Sequence, residues 1–258
     1  MDPSSWVLYI YFVTVLLWLA TYISIIIVTH NDGTFGMPTF ALSLQLTWAF
    51  CYSVMGPYTL PFDSFNPQVI VNSVILLMGS ILTITTCRSL LSPQNQEFTS
   101  DPKLLAQMLP YAAAALFVFS FSLQCCFKYQ FWDPTQPLLN QAYSFAATEV
   151  YAALAFVLML MRRGDIRGQH WIIGASRFLS SIFNAIVSLQ AFPTIIMGWM
   201  TTVTILIDGA YLALLIRHHT KWSIQANTPL NPVLPMAGHA LPPIPNNPAR
   251  AGAAGPNP

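Results

Sequence analysis

Charge is scarce in this sequence. Ten Lys and Arg and nine Asp and Glu make up 7% of 258 residues, while 55% are hydrophobic. An ordinary soluble domain carries roughly 25% charge, and no soluble fold hides so much apolar surface. Paired acids are missing too. No two stand in a D-D-x-x-D or D-x-D-D spacing, which argues against holding Mg²⁺ on the phosphates of a prenyl diphosphate. Neither H-E-x-x-H nor G-x-S-x-G occurs, so metal or serine hydrolysis has no visible apparatus. Lys103, Lys128 and Lys221 all fall outside the apolar stretches, and a retinal Schiff base is thereby set aside. Pro67-Gln68 and Pro93-Gln94 stand at a helix entrance or in a connection and do not make the mid-helix signature of a carrier. Cys51, Cys87, Cys125 and Cys126 show no C-x-x-C spacing and read as small apolar packing residues.

What the chain does have is a series of apolar runs of the length that crosses a ~30 Å hydrocarbon core. They lie at Trp6 to Val28, Met37 to Met55, Gln68 to Cys87, Met108 to Phe127, Tyr143 to Met161, Trp171 to Gln190 and Ile195 to Ile216. The expected fold is therefore all-α: a polytopic bundle of about seven transmembrane helices over residues 1–222. The turn at Phe192 and Pro193 is tight enough that the last two nearly merge. The first run follows five residues without Lys or Arg and exceeds a signal-peptide core in length, so it is expected to stay as an anchor. No retrieval tetrapeptide or prenylation box closes the sequence. Residues 223–258 turn to Pro, Asn, Ala and Gly and read as a disordered tail. Basic residues orient the bundle. With the N-terminus outside the cytosol and the C-terminus in it, Arg88, Lys103, Arg162, Arg163, Arg167, Arg217, Lys221 and Arg250 fall inside, against Lys128 outside.

An ionisable side chain deep in a bilayer costs roughly 2.5 kcal/mol or more. Three stand in the runs: Glu149, Arg177 and Asp208. Counted at ~1.5 Å per residue from the cytosolic end, they lie about 18, 9 and 12 Å deep, within reach of one cavity. Asp208 and Arg177 can equally be a structural ion pair between the last two helices, and Glu149 a protonated acid bonded to a neighbouring helix. Asp2, Asp32, Asp63, Glu97, Asp101, Asp133 and Asp165 read as solvated charges of termini and connections. Trp48 and Tyr52 share a helical face, as do Phe145 with Glu149 and Tyr211 with Asp208. Acids beside aromatic faces can hold a cation, although packing and interfacial belts are the commoner use of aromatics.

Three segments together carry a resemblance: Phe35-Gly36-Met37-Pro38 leading to Thr47-Trp48, Arg167-Gly168 followed by Ser176-Arg177-Phe178, and Asp208-Gly209-x-Tyr211. In that order in a chain of this size, they resemble the small seven-helix membrane terpene cyclases of fungal meroterpenoid and indole-diterpene pathways. The resemblance implies a cyclase that protonates a terminal epoxide or alkene on a prenyl chain borne by an aromatic, polyketide or indole unit. It also implies an endoplasmic-reticulum membrane location. That family is thought to use one acid after the Trp of the second helix and one in the last helix. Asp208 matches the latter, and the former position is Ala49. Glu149, at the depth of Ala49, is the expected replacement.

A carboxylic acid removed from water is favoured in its neutral form. Glu149 and Asp208 are thus the expected catalytic acids, with Trp48, Tyr52, Tyr211, Trp199 and Arg177 lining the substrate or its cation. Should Arg177 pair closely with Asp208, Glu149 becomes the better donor. No cofactor, metal or nucleic-acid partner is expected; the partners are a lipophilic prenylated substrate and the bilayer. The competing class is a non-enzymatic receptor or small-solute carrier. A carrier also wants a midplane cavity, but with broken helices, and Gly and Pro rarely interrupt these.

Overall fold

In the computed structural model the described residues are 3–54, 67–91, 102–131, 139–163 and 165–227. They form seven helices, as expected: α1 (Pro3–Asp32), α2 (Thr39–Ser53), α3 (Pro67–Leu90), α4 (Pro102–Gln130), α5 (Leu139–Arg163), α6 (Trp171–Ala191) and α7 (Ile195–Asn227). Six are long and apolar enough to cross a membrane. The other, α2, has 15 residues and rises only about 22 Å, short of the hydrocarbon thickness.

Several elements outrun the expected spans. Lys128, expected in a connection, stands in the last turn of α4, buried, with its Nζ 5.9 Å from the centre of the Tyr52 ring. α7 continues to Asn227, so Lys221 and the first residues of the expected tail are helical. Residues 228–258, with Arg250, lie outside the described residues, as do Asp2, Asp63, Glu97, Asp101, Asp133 and Pro93-Gln94. α6 and α7 are separate helices: Phe192, Pro193 and Thr194 intervene, and Thr194 Oγ1 caps α7 by accepting from Met197 N (3.2 Å).

α1 packs on α3 and α6, α6 on α7, α7 on α5, α5 on α2, and α2 on α3, so six helices close a ring. α4 sits outside it, against α2 and α5. Only 6% of its apolar stretch is buried within the protein, against 50% for α5. The inner faces follow from helical spacing. On α1 they are Thr14, Trp18, Thr21, Tyr22, Ile25 and Thr29, and on α7 Met197, Thr201, Thr204, Asp208, Tyr211 and Leu215.

One end of the ring is closed by two interlocked connections, and the residues that carry the family resemblance are what locks them. Gly36 N donates to Thr29 Oγ1 (2.9 Å), Gln169 Nε2 donates to Gly36 O (2.7 Å), and Gly168 N donates to Asp32 Oδ2 (2.6 Å). Asp32, expected to be merely solvated, is therefore a tether. The Arg163 guanidinium stacks on Phe35 at 4.2 Å, and Tyr211 OH donates to Gln169 Oε1. A Cβ on Gly36 would meet Gly168 O at 2.7 Å. One on Gly168, whose φ is +72°, would meet Phe35 O at 2.8 Å.

Gly168→Ala combines a left-handed backbone with a clash against another backbone, a strain of order 1–3 kcal/mol or more. The purified variant is expected to lose its detergent-solubilised fold at a clearly lower temperature than the parent chain. Ala substitution at exposed Leu158 of α5, used as a control, should leave the melting temperature within a degree or two.

Candidate functional site

Three of the ring helices bring the intramembrane ionisable residues together. Arg177 (1% exposed) projects from α6 between Asp208 (0%) of α7 and Glu149 (4%) of α5. Its Nε and Nη2 donate to Asp208 Oδ1 at 3.1 and 3.0 Å, and Nη2 reaches Asp208 Oδ2 at 3.4 Å. Glu149 Oε2 stands farther off, 3.9 Å from Nη2. Ser181 Oγ, one turn after Arg177, donates to Asp208 Oδ2 at 2.5 Å. Glu149 is held from the opposite side: Gln45 Nε2 of α2 donates to Glu149 Oε1 (3.1 Å), and Tyr22 OH of α1 donates to Gln45 Oε1 (2.9 Å).

The guanidinium also lies over two rings, Phe156 at 4.6 Å and Trp18 at 5.5 Å. Such cation–π contacts are worth about 2 kcal/mol when desolvated. Its Nη1 is buried without a hydrogen-bond acceptor. Next to the ion pair, Gly209 leaves room for the Phe178 ring, which a Cβ would approach to 3.2 Å. Two adjacent residues of α7 thus mate with two adjacent residues of α6.

Beyond Glu149, away from the interlocked connections, lies a cavity of about 230 Å³ bordered by α1, α2, α3, α5 and α6. Trp18, Trp48 and Phe145 form its floor and separate it from the ionic cluster. The three rings brace one another, with centroids 4.8 Å apart for Trp48 and Phe145 and 6.5 Å for Trp18 and Phe145. Asn72, Gln141 and Asn184 add amide groups to the walls. Trp48 Nε1 is buried without a partner. Between floor and cluster are two voids of about 10 Å³, one bordered by Glu149, Ser181 and Asn184, the other by Tyr22 and Gln45. Each has room for about one water.

The expected lining residues divide. Trp48 borders the cavity, and Tyr52 packs on it at 5.5 Å while its hydroxyl donates to Asn140 O (3.3 Å). Tyr211 lies on the other side of Asp208, packed on Phe156 at 5.4 Å and engaged with Gln169. Trp199 is 63% exposed. It stands two residues from Met197 and Thr201 of the inner stripe of α7, which turns it to the outer face.

Counting only ionisable groups passed over Trp18, Tyr22, Gln45 and Ser181. The signal existed: α1 repeats polar or aromatic residues at Thr14, Trp18, Thr21 and Tyr22, and Gln45 is an amide within an apolar run. Among the described residues no three His, Cys, Asp or Glu side chains converge as metal ligands would.

These features define a multi-pass helical membrane protein with an internal acid–arginine cluster beneath an aromatic-floored cavity. Residues 4–221 match the sequence profile of the Pyr4-like transmembrane terpene cyclases, and the chain belongs to that family. Neither the curated proteins nor the solved structures contain a match to it. Membership makes it a membrane terpene cyclase, with a lipophilic substrate, and speaks against the carrier or receptor reading.

Removing one partner of a buried ion pair leaves an uncompensated charge, at a cost of about 3–5 kcal/mol, whereas replacing both by apolar groups is close to neutral. Arg177→Met alone is expected to lower the thermal midpoint of the solubilised protein sharply, and Asp208→Leu likewise. The double variant should melt above either single one. A double variant that melts at or below the worse single would show that the pair is not the stabilising unit.

Proposed function

We propose that this cyclase closes rings on an open prenyl chain attached to an aromatic, polyketide or indole unit, starting from a proton given by Glu149 to a terminal epoxide or alkene. The observation that carries the reading is the unequal sharing of Arg177. One cation faces two acids in a space with room for about one water, and two unbalanced carboxylates there would be costly. Asp208 takes the guanidinium at 3.0–3.1 Å, while Glu149 stands at 3.9 Å and accepts from a neutral amide. The arrangement is electroneutral when Asp208 is the carboxylate and Glu149 the neutral acid. Asp208 then orients Arg177, and Glu149 is the group with a proton to give.

Glu149 also borders the void beside Trp18 and Phe145, so the proton has a short way into the cavity, directly or through one water. Protonation opens the epoxide C–O bond. The oxygen leaves as a hydroxyl on the same molecule, and the tertiary cation is attacked by successive alkenes, each new C–C bond moving the charge along the chain. Loss of a proton from the last cation restores the balance, so substrate and product are isomers. Initiation by a proton calls on no metal. The faces of Trp18, Trp48 and Phe145 stabilise the travelling cation, and dryness keeps water from quenching it. Gln45 reaches Glu149 from one turn before Ala49, so the acid on α5 serves from the side where the family's second-helix acid is thought to stand. An endoplasmic-reticulum membrane, with the N-terminus outside the cytosol, suits such a substrate and the distribution of Lys and Arg.

In microsomes supplied with an epoxidised prenyl substrate, the parent chain is expected to yield a product of unchanged mass and altered retention. Glu149→Gln keeps shape and hydrogen bonding but has no proton to give, and should lower kcat roughly 10²-fold or more. Asp208→Asn, which frees Arg177 to bind Glu149, should abolish turnover while the protein still inserts. Normal turnover in both variants would end the acid assignment. Movement of the substrate across vesicles without isomerisation would point to a carrier.

A further inference from the structure

The aromatic floor between the ionic cluster and the 230 Å³ cavity has a polar gap. The void beside Glu149 and the cavity share three bordering residues, Trp18, Phe145 and Asn184. The other void, bordered by Tyr22 and Gln45, shares only Trp18, Trp48, Ile75 and Phe145 with the cavity. An amide therefore spans the boundary on the side of the acid. Helical spacing puts it there: Arg177, Ser181, Asn184 and Ser188 recur at steps of three and four along α6, which places them on one face. That stripe leads from the ion pair, past the void, to the cavity wall. Asn184 is partly accessible, and among the described residues its amide has no hydrogen-bond partner.

The hydroxyls around the void have already spent their protons. Ser180 Oγ donates to Arg177 O (2.7 Å), Thr201 Oγ1 to Met197 O (2.8 Å) and Thr204 Oγ1 to Met200 O (2.9 Å). Towards a newcomer these oxygens can act only as acceptors. Donors come from the Asn184 N–H groups and, in the neutral form, from the Glu149 O–H. Water matches that set, because it accepts from both donors and still has two hydrogens to give. A space of about 10 Å³ with several polar partners satisfies what a buried water requires.

We infer that Asn184 is a positioning residue: its amide holds one water between Glu149 and the substrate oxygen, and that water carries the starting proton past the aromatic floor. The inference rests on Glu149 as the acid. In the step, the Glu149 O–H bond breaks towards the water while a water O–H bond breaks towards the epoxide oxygen, whose C–O bond opens. The water emerges unchanged. Glu149 is left as a carboxylate with Arg177 Nη2 3.9 Å away, and the proton released when the last cation becomes an alkene restores it. Asn184 suits the task because it orients a water without adding a charge or an acid of its own.

Glu97 and Glu149 are the two glutamates of the chain. A Glu97→Gln background made with carboxyl-labelled glutamate and placed in phosphatidylcholine nanodiscs therefore isolates the Glu149 carboxyl in the infrared spectrum. A neutral carboxyl band is expected, lowered in wavenumber by its bond to water. Asn184→Leu should move that band up and lower kcat on an epoxidised prenyl substrate roughly tenfold or more, with KM within about twofold. Asn184→Ser, which keeps a polar partner for the water, should return the band towards its parent position and recover most of kcat. A band unmoved by Asn184→Leu, or a kcat within about twofold of the parent in that variant, would overturn the relay and leave Glu149 to act by direct contact. If Asn184→Leu does not fold, the band in Thr204→Val, which alters the void from α7, decides the same question: upward movement supports the relay and a fixed position overturns it. A parent chain without a neutral Glu149 band would sink the acid assignment itself, so the two failures are told apart.

Discussion

A guanidinium enclosed by apolar helices has to be neutralised where it sits, since neither water nor lipid headgroup can reach it. Arg177 imposes that constraint on the whole ring. Asp208 of α7 balances it, Glu149 of α5 stands second in line, and Phe156 and Trp18 cover its faces. Gln45 and Tyr22 extend the network to α2 and α1. Four of the other five ring helices thus join one network around the charge carried by α6, which sets their relative rotation more tightly than apolar packing does: lipid tails are as apolar as leucine, so burial in a membrane drives helices together only weakly.

The same constraint separates the ionic cluster from scaffolding within the segments that carry the resemblance. Phe35, Gly36, Arg167 and Gly168 belong to the interlocked connections, with Gln169 and Tyr211 joining them to α7. Gly209 and Phe178 give α6 and α7 their close approach. Only Arg177 and Asp208 of those segments belong to the ionic cluster. Much of the resemblance is thus a record of how the ring closes at one end, which is what holds the acids in place.

In the proposed mechanism, the aromatic floor is what makes an acid cluster usable for carbocation chemistry. Trp18, Trp48 and Phe145 lie between the ion pair and the 230 Å³ cavity, which in the mechanism proposed above keeps the Asp208 carboxylate from capturing the cation. The same rings present π-faces to the cavity side, where a cation can be held without a covalent bond. Amides at Asn72, Gln141 and Asn184 give the walls polarity without charge.

The number and approximate limits of the helices were legible in the sequence, because transferring some twenty apolar residues into hydrocarbon is a local, additive property of the run. So was the peculiarity of Glu149, Arg177 and Asp208, for which a lipid environment offers no neutral explanation. Their partners were not. Trp18, Gln45 and Ser181 join the cluster, and Trp199 stays out, through helix rotation and axial offset, which depend on every neighbour at once. Residue order along one helix determines what can face inwards; only the closed ring decides which of those side chains meet.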